Sequence, residues 1–131
     1  MSKSDKEIIG KPPIINGRKL SLSRAVCAGD FIFLTGQIPM KDNEPMTEGS
    51  IEEQTCVCIE LIRETLEKAG CELNDVVKTM VWLKSRDDFD GFNTVYGNYF
   101  TNGAPARSAL VCDFLVDIRE EIECIAYKTK K

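Results

Sequence analysis

No histidine occurs in the 131 residues. That removes the commonest general base, every Ser-His or Cys-His pair, and the mixed Cys/His zinc sites. Catalysis, if any, must run on carboxylates, tyrosines, lysines, arginines or backbone groups. An apolar run long enough to cross a bilayer is also missing. The opening MSKSDKEIIGKPP has neither an apolar leader core nor a small-residue cleavage site. The expected location is therefore the cytosol, with no membrane partner. Basic excess is lacking too: the formal charge is -4, which gives no general attraction to nucleic acid. Lys128, Lys130 and Lys131 cluster at the C-terminus and read as a solvated tail. The cysteines (Cys27, Cys56, Cys58, Cys71, Cys112 and Cys124) include no CxxC pair. Cys56 and Cys58 are two apart on a predicted helix and point in different directions. All are read as small buried hydrophobes in a reducing compartment, with no metal expected.

What is present is an ordinary globular composition, 43% apolar and 29% charged, in a length that one domain fills. No repeat or long linker divides it. A single domain spans residues 1–131, with 1–19 an N-terminal segment and loop and 128–131 a tail. KPPIINGRK reads as a loop, since Pro12 and Pro13 bar regular structure and Asn16-Gly17 signals a turn. Ala25 to Ala28 and Phe31 to Thr35 read as a hairpin on Gly29-Asp30. PMKDNEPMTEG is a polar excursion. Ser50 and Glu53 then form a capping box ahead of a helix. Its apolar stripe is Cys58, Ile62, Leu66 and Ala69, with Gly70 as the terminating glycine. DVVKTMVWLK reads as a strand with Val77, Thr79, Val81 and Leu83 on one face. A second helix, capped by Asp87 or Asp88, carries Phe89, Phe92, Tyr96 and Tyr99 or Phe100 at core spacing. That period favours packing over a surface for stacking bases. Strands from Arg107 to Val111 and from Ile118 to Tyr127 complete the chain. The expectation is an α+β, two-layer domain: a mixed sheet of about five or six strands with two helices on one face. Strands apolar on both sides then imply that identical subunits cover the other face.

GAPARSALVCDF places Arg107 at the mouth of an apolar run that looks like a buried strand. A guanidinium stays charged at ordinary pH, so it needs an anion. In DIREEIECIAYK, Arg119, Glu121 and Glu123 share one face by period two. Neighbouring carboxylates raise one another's pKa unless a cation intervenes. Arg107, expected in an adjacent C-terminal hairpin, is one candidate for that cation. A solvated, charged edge strand is the other reading.

These residues carry a family resemblance. PARSALVCDF followed by EEIECIA resembles the C-terminal signature of the Rid, or YjgF, family of reactive-intermediate deaminases. FIFLTGQIP, DFDGFNTVYGNYF and AGCELNDVVKTMVWLKS are similar to three further family segments in the same order, so the likeness runs from about Ala25 to Ala126. The resemblance implies a chorismate-mutase-like homotrimer with sites in the clefts between subunits. It implies hydrolysis of 2-imino or enamine acids to 2-oxo acids and ammonia, without metal or organic cofactor. By the same likeness Arg107 clamps the substrate carboxylate and Glu121 holds the water, with Glu123 the alternative. Asn93 borders the cleft or is an ordinary exposed helix residue, Thr35 faces the site, and backbone amides near Ala109 orient the carboxylate. The sequence departs from the family at Leu22, where a tyrosine is usual, and at Arg24, where a glutamine is. Leu22 would make the site more apolar. The competing functions are a non-catalytic small-acid binder on the same trimer and a ribonuclease, which the acidic, histidine-free chain disfavours.

Overall fold

The structure is a computed structural model and describes residues 6–128, so Lys130 and Lys131 of the expected tail lie outside the described residues. The elements are β1 (Lys6–Ile9), β2 (Ile14–Ile15), β3 (Arg18–Lys19), β4 (Ala25–Ala28), β5 (Phe31–Leu34), β6 (Met40–Lys41), β7 (Glu44–Pro45), α1 (Ile51–Lys68), β8 (Val76–Leu83), α2 (Phe89–Tyr99), β9 (Ala106–Val111) and β10 (Glu120–Tyr127). Six of them form one mixed sheet in the order β1-β4-β5-β10-β8-β9. All neighbours are antiparallel except β8 and β9, which run parallel. Both helices pack on one face, as the α+β expectation requires.

Helix α1 starts where its capping box predicts. The Ser50 hydroxyl accepts the Glu53 amide at 3.1 Å, and Glu53 Oε1 accepts the Ser50 amide at 3.1 Å. Cys58, Ile62, Leu66 and Ala69 are all buried. Gly70, at φ 80°, supplies the left-handed turn that ends the helix. Helix α2 crosses it closely: a Cβ added at Gly91 would come within 2.7 Å of Ile51 Cγ2. That contact seats α2 against α1, while the bond between the Tyr96 and Thr79 hydroxyls ties α2 to β8.

Several expectations fail for local reasons. The described part of the expected N-terminal segment and loop, residues 6–19, holds more than a loop, because β1 pairs with β4 along its whole length. KPPIINGRK closes a short β2–β3 hairpin, with Asn16 at φ 52° and Gly17 at φ 76° in the two turn positions. PMKDNEPMTEG closes β6–β7 the same way, with Asp42 at φ 54° and Asn43 at φ 63°. In β8, Thr79, Val81 and Leu83 are buried but Val77 is exposed and Val76 buried in its place. The alternation breaks at a register shift opposite Ile125 and Ala126. Asp88 precedes α2 but makes no capping bond; Ser85 instead accepts the Asp87 amide at 3.1 Å. Asp88 is occupied by Arg119, at 3.1 Å. Of the cysteines, Cys58, Cys71 and Cys124 are buried, Cys27 and Cys112 half-buried and Cys56 exposed, and all are free.

The most consequential correction concerns β9. It forms no hairpin with β10, because β8 lies between them. Nor is it a buried strand: Ala109, Leu110 and Val111 are exposed on the sheet's edge. Among the described residues no helix is long and apolar enough to cross a membrane.

Candidate functional site

Arg107 sits opposite Thr79 in the β8–β9 ladder and so faces the helix side of the sheet. Its Nη1 donates to Asn93 Oδ1 at 2.9 Å. The guanidinium lies over the Tyr96 ring at 4.8 Å and the Phe89 ring at 5.9 Å. Tyr96 is itself fixed by a 2.7 Å bond between its hydroxyl and that of Thr79, and burial raises its pKa, keeping it neutral. Among the described residues Arg107 joins no ion pair. Asn93, Phe89 and Tyr96 all come from α2, at positions i+4, i and i+7. Phe89 was expected in the core; it is exposed and forms part of this platform. Ala109 faces the same side, two residues along β9, beside Val81.

Glu121 occupies the opposite face. Its neighbours Glu120 and Ile122 are buried beneath the helices, so Glu121, paired with Trp82, points the other way. It lies directly over Gly36, where an added Cβ would fall on the carboxylate. The strand end carrying Gly36 is locked there by Gln37. The Gln37 amide donates to the Ile122 carbonyl at 2.8 Å, and its own carbonyl accepts from the Ile122 amide at 3.0 Å and the Cys58 thiol at 3.1 Å. Thr35, Gly36, Leu22 and Glu121 together line a cavity of about 240 Å³. Burial raises the Glu121 pKa, and the Glu123 charge adds to that shift. Neither arginine relieves it: Arg107 faces away and Arg119 is held by Asp88. Arg107 is therefore not the cation for the Glu121/Glu123 pair.

The predicted residues thus fall into two groups within one chain. Arg107, Asn93 and Ala109 stand on the helix side of the sheet edge, while Leu22, Thr35 and Glu121 stand around the cavity on the other face. Phe89 and Tyr96 form a platform for Arg107 that the sequence did not reveal, although both lie at helical spacing from Asn93. Nor did it reveal Gly36, whose lack of a side chain admits the carboxylate, or the buried Glu120. Glu120 has no exposure, and its carboxyl oxygens have no hydrogen-bond partner among the described residues. Burial raises its pKa far above the ordinary range, partly offset by the Cys58 thiol beside it. Among the described residues no cluster of His, Cys, Asp and Glu is arranged to hold a metal ion.

The comparisons with known proteins agree over nearly the whole chain. A sequence model of the family described as Endoribonuclease L-PSP matches residues 18–128. A RutC family protein of Pyrococcus abyssi is 46% identical over 108 residues, covering 81% of this chain and 85% of that protein. The crystal structure of yeast Mmf1 superposes with a TM-score of 0.86 at 29% identity, over 95% of this chain and 99% of that one. That of Escherichia coli TdcF with bound serine gives 0.82 at 25% identity, over 94% and 99%. With the strand order, the two helices and the sequence all in agreement, the chain belongs to the L-PSP family, whose members also carry the names YjgF, Rid and RutC.

Proposed function

We propose that the protein is a hydrolytic deaminase of reactive 2-imino and enamine acids, working as a homotrimer in the cytosol. The observation that carries this reading is the state of Arg107: a charged guanidinium on a neutral platform of one amide and two rings, with no carboxylate partner among the described residues. A bidentate guanidinium fits a substrate carboxylate. Water held by Glu121 adds to the C=N carbon, and the nitrogen takes up a proton. Collapse of the resulting carbinolamine expels ammonia and leaves the 2-oxo acid. A carboxyl group whose pKa burial raises is the better suited to hold and return that proton. The imine is already electrophilic, so positioning and one carboxyl group suffice.

Arg107 and Glu121 lie on opposite faces of one sheet, so in this reading a site takes its arginine from one copy and its glutamate from the next. The open sheet face supports such an assembly, since Phe31, Phe33 and Tyr127 stand exposed there. The family description names an endoribonuclease, but the net charge of -4 and the lack of histidine do not favour RNA as substrate. The test is ammonia release from 2-iminobutanoate or 2-aminoacrylate generated in situ. The protein accelerates it and Arg107→Ala abolishes the gain; equal rates for the two remove the claim. Leu22, at the family's tyrosine position, motivates the one alternative, a non-catalytic binder. Stabilisation by 2-oxo acids in a thermal-shift assay without turnover identifies that case.

A further inference from the structure

We propose that the cavity beside Glu121 is a side-chain pocket selecting 2-imino acids with large apolar side chains, branched aliphatic or aromatic, over those with a methyl or ethyl group. The proposal rests on the deaminase reading and adds the substrate class.

Most of the lining residues are apolar, Leu20, Leu22, Ile38, Met40, Phe114 and Val116 among them. Leu22 is 40% exposed while lining the cavity, and Leu115 at its rim is wholly exposed. These are large apolar surfaces turned toward open space, and covering them with a ligand's hydrocarbon is favourable. Few polar groups compete. The Gln37 side-chain amide is spent on the Ile38 carbonyl at 2.8 Å. Arg24 also borders the cavity; its Nε donates to the Lys11 carbonyl at 3.0 Å and its stem packs beside Gly10. A second carboxylate on the substrate would meet Glu121, whose pKa burial and the nearby Glu123 charge already raise. A hydroxyl or amide would give up water for walls that offer little in return.

Size points the same way. At about 240 Å³ the cavity has room for roughly eight water-sized groups, more than a methyl or ethyl group fills. A short side chain would leave apolar wall wetted, and each missing methylene in an apolar pocket lowers kcat/KM by about tenfold or more.

The experiment compares imines made in situ by an L-amino acid oxidase from alanine, 2-aminobutyrate, leucine and phenylalanine. Acceleration over buffer is expected to give kcat/KM about tenfold or more higher for the leucine and phenylalanine imines than for the alanine imine. Leu22→Trp, which fills the cavity from an exposed position, should cut that ratio about tenfold. Equal or better use of the alanine imine by the wild type overturns the proposal, as does a ratio unmoved by the substitution. If no imine is accelerated, the deaminase reading fails separately. The pocket is then judged by calorimetry with 4-methyl-2-oxopentanoate against pyruvate: tighter binding of the former, weakened by Leu22→Trp, upholds the apolar pocket, and equal affinity sinks it.

Discussion

At the scale of single residues, a missing side chain and a misplaced charge are the most informative features. Gly36 lacks a Cβ where one would strike the Glu121 carboxylate. Its backbone lies outside the left-handed region, so alanine fits the chain trace and disturbs only the glutamate. Gly36→Ala is expected to lower kcat/KM at least about tenfold with little change in melting temperature, measured side by side. Glu120 makes a separate prediction. Its unfolded carboxyl titrates near 4.5, whereas burial keeps the folded one protonated to much higher pH. The unfolded chain therefore releases a proton that the folded chain retains. Stability from this group is complete below the unfolded value and is lost as pH rises toward the folded one. Glu121, also raised, adds a slope of the same sign. Glu120→Gln should flatten the decline seen in urea unfolding as pH rises above about 4.5, and Glu120→Met should raise stability by about 1 kcal/mol or more. An unchanged slope in Glu120→Gln would show that the carboxyl finds a partner in solution.

At the scale of elements, α2 is the support for Arg107, and its position depends on the approach to α1 at Gly91. Gly91→Val places methyl groups against Ile51 and Glu52. A loss of about 1–3 kcal/mol in folding free energy is expected, with a higher KM because Asn93, Phe89 and Tyr96 shift together. Chemical denaturation and steady-state kinetics on one preparation check both. This is also the scale at which legibility in the sequence divides. Helix α1 was readable from Ser50 to Gly70 because caps and period are local signals. The turns at Asn16-Gly17 and Asp42-Asn43 flank strands of two residues each, too short for any period to register. Val77 was assigned to the wrong face because a bulge changes the alternation without leaving a mark in composition. The placement of Arg107 away from Glu121 was invisible for a different reason. It depends on β8 entering between β9 and β10, and pairing partners distant in sequence are not encoded in either strand alone. Arg107 and Glu121 stood out from the residues themselves, while their roles, and Asn93, Leu22 and Thr35 altogether, were named from a resemblance; the face each occupies came only with the topology.

At the scale of the whole molecule, the two groups of residues make a sharp demand on assembly. Chains carrying Arg107→Ala are inactive in the proposed scheme, and so are chains carrying Glu121→Gln. Unfolded together in equal amounts and refolded, they should regain about a quarter of wild-type activity, because one site in four draws an intact arginine from one variant and an intact glutamate from the other. Sedimentation of the mixture should give the mass of three chains. Recovery of activity on mixing is the decisive reading, and none would place both residues of a site in one subunit.

In the proposed scheme, the sheet that parts arginine from glutamate also makes turnover a collective property. Diluted until the copies separate, each chain would keep its fold yet lose its chemistry, so specific activity would fall with concentration instead of staying constant. A freshly synthesised chain would likewise be silent until it met its neighbours, and the cell's supply of chains would set a threshold for the reaction.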